Sequence, residues 1–251
     1  MLRRRGGIRR TLLLKVGETA PDREVELGVP AAAPARRLAA EFLGTGFLVA
    51  IVVGSGIHAE RLSEDVGLRL LENALVTGAG LVALILAFGH VSGARFNPLV
   101  TGAAVVGGDL RPRDAGPEVA AQVAGALCGA IVANLMFELP AVTWSQHDRG
   151  SVPLLFAELV ATFGLLTVIF GVVRSPRPEM VAIAVGAYIT AAYWFTSSTS
   201  FANPAVTVAR TLTDTFSGIA PRSAPGFIVA QCVGAAAAVG VDRFLHPRSA
   251  S

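Results

Sequence analysis

The sequence predicts an all-α membrane protein with six spanning helices and two shorter helices that enter the membrane without crossing it. Three observations carry that prediction. The 251 residues are 53% hydrophobic and only 16% charged, with a mean hydropathy of +0.59, whereas ordinary soluble domains run near a quarter charged. Six stretches approach the roughly 20 apolar residues that cross a hydrocarbon layer. The chain also repeats itself, in order, across its two halves. A soluble enzyme, a disulfide-stapled secreted domain and a disordered chain are disfavoured by the same arithmetic.

Residues 1–35 read as a disordered basic tail on the cytoplasmic side. Residues 1–37 hold nine basic residues against four acids, or +5, while the whole chain carries +3. The basicity therefore belongs to a tail and not to a nucleic-acid-binding face. Leu12–Leu14 is too short for the core of a signal peptide, and Lys15 interrupts it. A Pro/Ala stretch, residues 30–34, serves as a flexible linker. Cys128 and Cys232 lie in apolar runs and read as small buried thiols, with no zinc or disulfide pattern.

The predicted spans are 38–57, 70–90, 118–137, 152–173, 179–196 and 226–245. Two further apolar runs, Asn97–Gly107 and Asn203–Thr213, are too short to span, and each opens on Asn-Pro. Asparagine caps a helix start and proline suits the first helical position, so both read as half-helices. In lipid a half-span survives only where protein or a water-filled cavity surrounds it.

The repeat is specific. Leu38, Glu41 and Thr45 return as Leu155, Glu158 and Thr162. Asn97-Pro98-Leu99-Val100-Thr101 returns as Asn203-Pro204-Ala205-Val206-Thr207, and Ala121-Gln122 returns as Ala230-Gln231. Repeat one covers about residues 36–138 and repeat two about 151–246. An odd number of spans in each copy inverts the second relative to the first, and such repeats enclose transport paths at their interface. With the tail inside, sixteen of the 21 basic residues fall on the cytoplasmic side, so both termini are expected there.

The segment Gly89–Thr101 and the segment Phe201–Ala205 resemble the paired signatures of the aquaporin, or major intrinsic protein, family. The resemblance spans about residues 36–246. It implies a channel domain, no enzymatic step, no cofactor and no metal. It further implies a homotetramer in the cell's inner membrane, with small neutral solutes and the lipid bilayer as partners and no nucleic acid. Pro98, Leu99, Pro204 and Ala205 begin the half-helices. Asn97 and Asn203 cap them while offering amide N–H groups to the lumen, and the two helix dipoles raise a barrier to cations. Leu99 stands where the family usually has alanine. Glu41 and Glu158 are intramembrane carboxylates, and by resemblance they accept hydrogen bonds from the re-entrant loops; Gln122 and Gln231 bridge helices or loops.

By the family's offsets the outer filter falls on Thr77, Ala191, Ser200 and Val206. Valine replaces the usual arginine, and no aromatic occupies the other places. The resemblance thus implies a wide, aquaglyceroporin-like filter for glycerol-like polyols and neutral metalloid acids such as arsenite. Two placements are open for Arg210, reaching back over the mouth or binding a loop carbonyl. Arg95 either lines the vestibule or packs the loop. His90 reads as a hydrogen-bonded loop residue rather than a gate. Trp144, Tyr188, Tyr193 and Trp194 read as interface anchors or packing. An ion-coupled transporter is the alternative, along with a closed-pore scaffold, although asparagines stand where a coupling carboxylate would be needed.

Overall fold

The computed structural model describes residues 32–247, so nearly all of the expected basic tail lies outside the described residues. Eight α-helices follow in order: α1 Pro34–Leu62, α2 Val66–Ser92, α3 Pro98–Gly107, α4 Pro112–Met136, α5 Val152–Val173, α6 Val181–Phe195, α7 Pro204–Ala209 and α8 Ala224–Leu245. Short 3₁₀ turns precede α6 at Pro178–Met180 and follow α7 at Arg210–Leu212.

Proline marks the starts. It occupies one of the first two positions of α1, α3, α4, α5, α7 and α8, where its missing N–H costs nothing and its fixed φ is already helical. α1 therefore begins at Pro34, earlier than the run at 38, and takes in the end of the expected linker and tail. Its first turn carries Arg36 and Arg37. α2 is capped by the Asp65 carboxylate, which accepts from the Leu68 N–H at 2.8 Å, and it stops at Gly93 with φ +85°.

Among the described residues, α1, α2, α4, α5 and α8 are long and apolar enough to cross a membrane. The sixth expected span is shorter: α6 has 15 residues, about 22 Å of rise, extended by its 3₁₀ turn. α3 and α7, with 10 and 6 residues, are the half-helices.

The helices pack as two similar sets. α1 lies on α4 as α5 lies on α8, and α2 meets α6 between the sets. Each half-helix touches the last helix of both repeats, since α3 contacts α4 and α8, and α7 contacts α8 and α4. Small residues allow the close crossings. A Cβ on Gly125 would strike the Phe42 carbonyl, and one on Gly129 the Gly46 carbonyl, so α1 and α4 meet backbone to backbone. Large apolar side chains such as Phe47, Leu86, Phe156 and Val229 remain exposed on the outside, as a lipid-facing surface requires. Cys128 and Cys232 belong to that outer surface, which corrects their reading as buried thiols: lipid accepts an apolar thiol as readily as a core does.

Candidate pore

Each half-helix is held in place from the backbone upward. Asn97 caps α3 by accepting the Leu99 N–H at 2.9 Å. Asn203 caps α7 by accepting the N–H groups of Ala205 and Val206 at 3.0 and 3.3 Å. The amide nitrogens then cross. Asn97 Nδ2 donates to the Ala202 carbonyl at 2.8 Å, and Asn203 Nδ2 donates to the Phe96 carbonyl at 2.8 Å. The tips of the two half-helices are thus clasped to one another, and each amide retains a second N–H.

The loops leading into the tips are contorted in the same way. Ala94 and Phe96 have φ of 47° and 49°, and Ser200 and Ala202 have φ of 50° and 48°. The two pairs are separated by the same offset as the two asparagines. Left-handed backbone at a non-glycine residue costs about 1–2 kcal/mol, so something must hold these loops. Glu41, buried completely, accepts the N–H groups of Arg95 and Phe96 at 3.1 and 2.8 Å. It also accepts the Ser92 hydroxyl at 2.6 Å and the Gln122 amide at 2.8 Å. Glu158, equally buried, accepts the N–H groups of Phe201 and Ala202 at 2.8 and 2.9 Å and the Gln231 amide at 2.6 Å. Gln122 and Gln231 each donate onward to the half-helix threonines, Thr101 at 2.8 Å and Thr207 at 2.9 Å. A membrane interior offers no water to satisfy these N–H groups, and the carboxylates take its place.

A cavity of about 240 Å³ runs past both tips. Asn97, Asn203 and the loop residues Ala94–Phe96 and Ser200–Ala202 line one side. Leu48, Val52, Leu81, Leu165, Ile169, Val185 and Ile189, from α1, α2, α5 and α6, make an apolar wall. Thr77, Ser200 and Val206, three of the four positions at the filter offsets, border it and are buried.

Ala191 does not. It is exposed on the far side of α6, whose cavity-facing positions are Val181, Val185, Ile189 and Tyr193. Those positions recur every four residues, and a residue midway between two of them points away. Tyr193 is buried, lines the cavity, and its hydroxyl lies 3.3 Å from that of Thr77. An aromatic therefore does border the cavity, where Tyr193 was expected as an interface anchor or packing residue. Tyr188, in contrast, packs on α5 with its hydroxyl donating to the Ala161 carbonyl at 3.0 Å, and Trp144 and Trp194 are exposed.

Leu99 turns away from the lumen and packs with Ala103, Leu166, Ala235 and Ala238, so the bulk at that position fills a helix contact rather than the path. His90 is an exposed residue in the last turn of α2, not in a loop, and is absent from the cavity wall. Arg95 borders the cavity while its guanidinium is gripped by Glu118, at 2.9 Å from Nε and 2.8 Å from a terminal nitrogen. Arg37 reaches the same carboxylate at 2.8 Å. Glu118 is completely buried. It stands four residues before Gln122 on the same face of α4, and that spacing was the signal available in the sequence.

Arg210 takes the second of the placements left open for it, its Nε donating to the Ser217 loop carbonyl, and it also borders the cavity. Its guanidinium carbon sits 3.3 Å from the centroid of the Phe201 ring. Arg149, from the loop before α5, lies 5.3 Å from the same centroid and donates to the Gly218 carbonyl at 2.9 Å. Burial pushes the Arg149 guanidinium below its ordinary pKa, with Glu158 and Tyr193 opposing that shift. No sequence pattern marked Arg149, because the Gly218 carbonyl it binds lies 69 residues away.

The family described as "Major intrinsic protein" matches residues 30–196 and again 178–250. The chain is 50% identical to aquaglyceroporin AqpS of Rhizobium meliloti (strain 1021) over 210 residues, covering 84% of this chain and 90% of that one. It is 32% identical to aquaporin Z of Photorhabdus laumondii over 166 residues, covering 60% of this chain and 71% of that one. Its fold matches the X-ray structure of the aquaglyceroporin from Plasmodium falciparum with a TM-score of 0.65 at 23% identity, over 86% of this chain and 98% of that chain.

Proposed function

The chain belongs to the major intrinsic protein family and is a passive membrane channel for water and glycerol-like solutes, not an enzyme; we propose that solutes cross between the clasped tips of α3 and α7. The observation that carries this path is the crossed pair of amides, Asn97 to Ala202 and Asn203 to Phe96, set in the wall of one cavity.

The chemistry follows from the geometry. Each half-helix presents an N-terminus worth about half a positive charge, so a cation meets a barrier in mid-membrane. An uncharged solute does not. It accepts hydrogen bonds from the spare N–H of Asn97 and then of Asn203, while the aliphatic wall opposite offers no competing polar partner. Glu41 and Glu158 offer a passing cation no direct ligand, because their oxygens are engaged by loop and glutamine donors. The filter is formed around Thr77, Ser200 and Val206, with Tyr193 in the place the offsets gave to Ala191.

The solute range extends to neutral metalloid hydroxides such as arsenite. Cys128 and Cys232, the thiols that would bind arsenic, lie on the outer surface, so the acid would pass as a hydrogen-bonding solute with the hydroxyl pattern of a small polyol. We read the assembly as a homotetramer with one path per subunit, placed in the inner membrane with both termini cytoplasmic. The arginine asymmetry supports that orientation.

Stopped-flow swelling of proteoliposomes with water, glycerol, urea and arsenite in parallel tests the reading. We expect glycerol and arsenite flux that follows the solute gradient alone. Flux that requires a pH or sodium gradient would mark an ion-coupled transporter, and no flux of water or glycerol would mark a closed scaffold.

A further inference from the structure

Position 206 holds valine where a filter arginine is expected, yet the lumen is not without a guanidinium at this end. α7 stops at Ala209, and Arg210 opens the 3₁₀ turn that follows. Arg210 is only 2% exposed and borders the cavity. The guanidinium is fixed from two directions, by the Ser217 carbonyl on Nε and by the face of Phe201 beneath it.

Its remaining donors are unspent. A guanidinium carries five N–H groups. Among the described residues, the two terminal nitrogens of Arg210 have no protein acceptor, and no carboxylate stands within ion-pair distance of either Arg210 or Arg149. Glu158 acts on both through space only, its oxygens being occupied by the loop. Ser200 borders the same cavity and its buried hydroxyl also has no partner among the described residues, while the Thr77 and Tyr193 hydroxyls, likewise at the cavity, face each other at 3.3 Å. An uncompensated buried cation is costly unless the site uses it.

We propose that Arg210 is the specificity-determining guanidinium of this channel, supplying from one helical turn beyond Val206 the charge and directed donors that valine lacks. With Thr77, Tyr193 and Ser200 it forms a ring of one fixed cation and three hydroxyls. That ring suits small uncharged solutes whose hydroxyl oxygens accept from the guanidinium and exchange hydrogen bonds with Thr77 and Tyr193. It rejects ammonium-type and metal cations. Arg149 plays a structural part instead, since it does not border the cavity and holds the Phe216 and Gly218 carbonyls at 3.4 and 2.9 Å. The assignment rests on the cavity being the conducting path.

The test compares Arg210→Gln, Arg210→Lys and Arg149→Gln with the native chain in proteoliposomes, reading water, glycerol and methylammonium flux and the thermal midpoint. Glycerol flux through the native chain tests the path itself; its absence defeats both readings before any variant is made. Arg210→Gln is expected to raise methylammonium flux relative to glycerol by about tenfold. Arg210→Lys, which keeps charge but loses the planar fork, is expected to shift the glycerol-to-water ratio several-fold with methylammonium still excluded; it carries the test if the glutamine variant fails to assemble. Arg149→Gln lowers the thermal midpoint and leaves both ratios unchanged. Unaltered ratios in the Arg210 variants would overturn the proposal, as would an Arg149→Gln variant that moves both ratios equally.

Discussion

The two loops that lead into the half-helices are near copies, and the charged groups in and beyond them are not. Behind each loop stand a buried glutamate, a glutamine and a half-helix threonine, joined in the same sequence of hydrogen bonds. In the first loop itself, Arg95 is neutralised by Glu118. Past the second, Arg210 faces the cavity with an aromatic ring and a carbonyl for company. What is duplicated answers a demand the membrane makes of any half-span, that each buried N–H find a partner. What has diverged is the partner of the guanidinium, a buried carboxylate for Arg95 and a ring and a carbonyl for Arg210.

The symmetry is broken most severely by removing a carboxylate. Glu41→Ala strands four donors, those of Ser92, Arg95, Phe96 and Gln122. At roughly 1–3 kcal/mol for each donor left unsatisfied, the variant is expected not to assemble. Glu158→Ala is expected to fail equally, and size-exclusion profiles of the solubilised proteins check both. If only one variant collapses, the two loops are not equivalent.

A smaller effect is expected at the neutralised end. Glu118→Gln leaves Arg95 and Arg37 without their shared carboxylate, and loss of one partner from a buried pair costs about 3–5 kcal/mol. The partial exposure of the two arginines moderates that figure. A clear fall in thermal midpoint with the glycerol-to-water ratio unchanged would sharpen the contrast between the ends. A changed ratio would show that the Arg95 end selects too.

Val206→Arg has the smallest expected energy. It adds a second guanidinium beside Arg210 and narrows the passage, and it is expected to cut glycerol flux about tenfold, or some 1.4 kcal/mol of barrier, with much less effect on water. Equal losses of both fluxes would place Val206 outside the filter.

Local chemistry made the half-helices and the carboxylates behind them readable. Asn-Pro fixes a helix start from two adjacent residues, and a charged residue in an apolar run is conspicuous in one dimension. The echo of Glu41 in Glu158 and of Gln122 in Gln231 then linked them. The filter was harder to read because counting back from Asn203 crosses residues 196–202, where three residues with positive φ rotate α6 relative to the count. Tyr193, not Ala191, therefore borders the cavity. The grip of Glu118 on Arg95 and that of Arg149 on the 216–218 carbonyls join segments far apart in the chain. Cys128 and Cys232 are exposed rather than buried because an apolar neighbourhood in sequence does not separate a core from an apolar outer surface.

The path itself is tested most directly by a thiol placed on it. Val206→Cys puts one on the wall between the tip of α7 and the Arg210 end, while the native Cys128 and Cys232 lie on the outer surface. Mercuric ion is expected to stop glycerol flux through this variant, a reducing thiol to restore it, and the native chain to be unaffected by either. Glycerol flux that persists after complete modification of the Val206→Cys variant would contradict a path between the two half-helix tips.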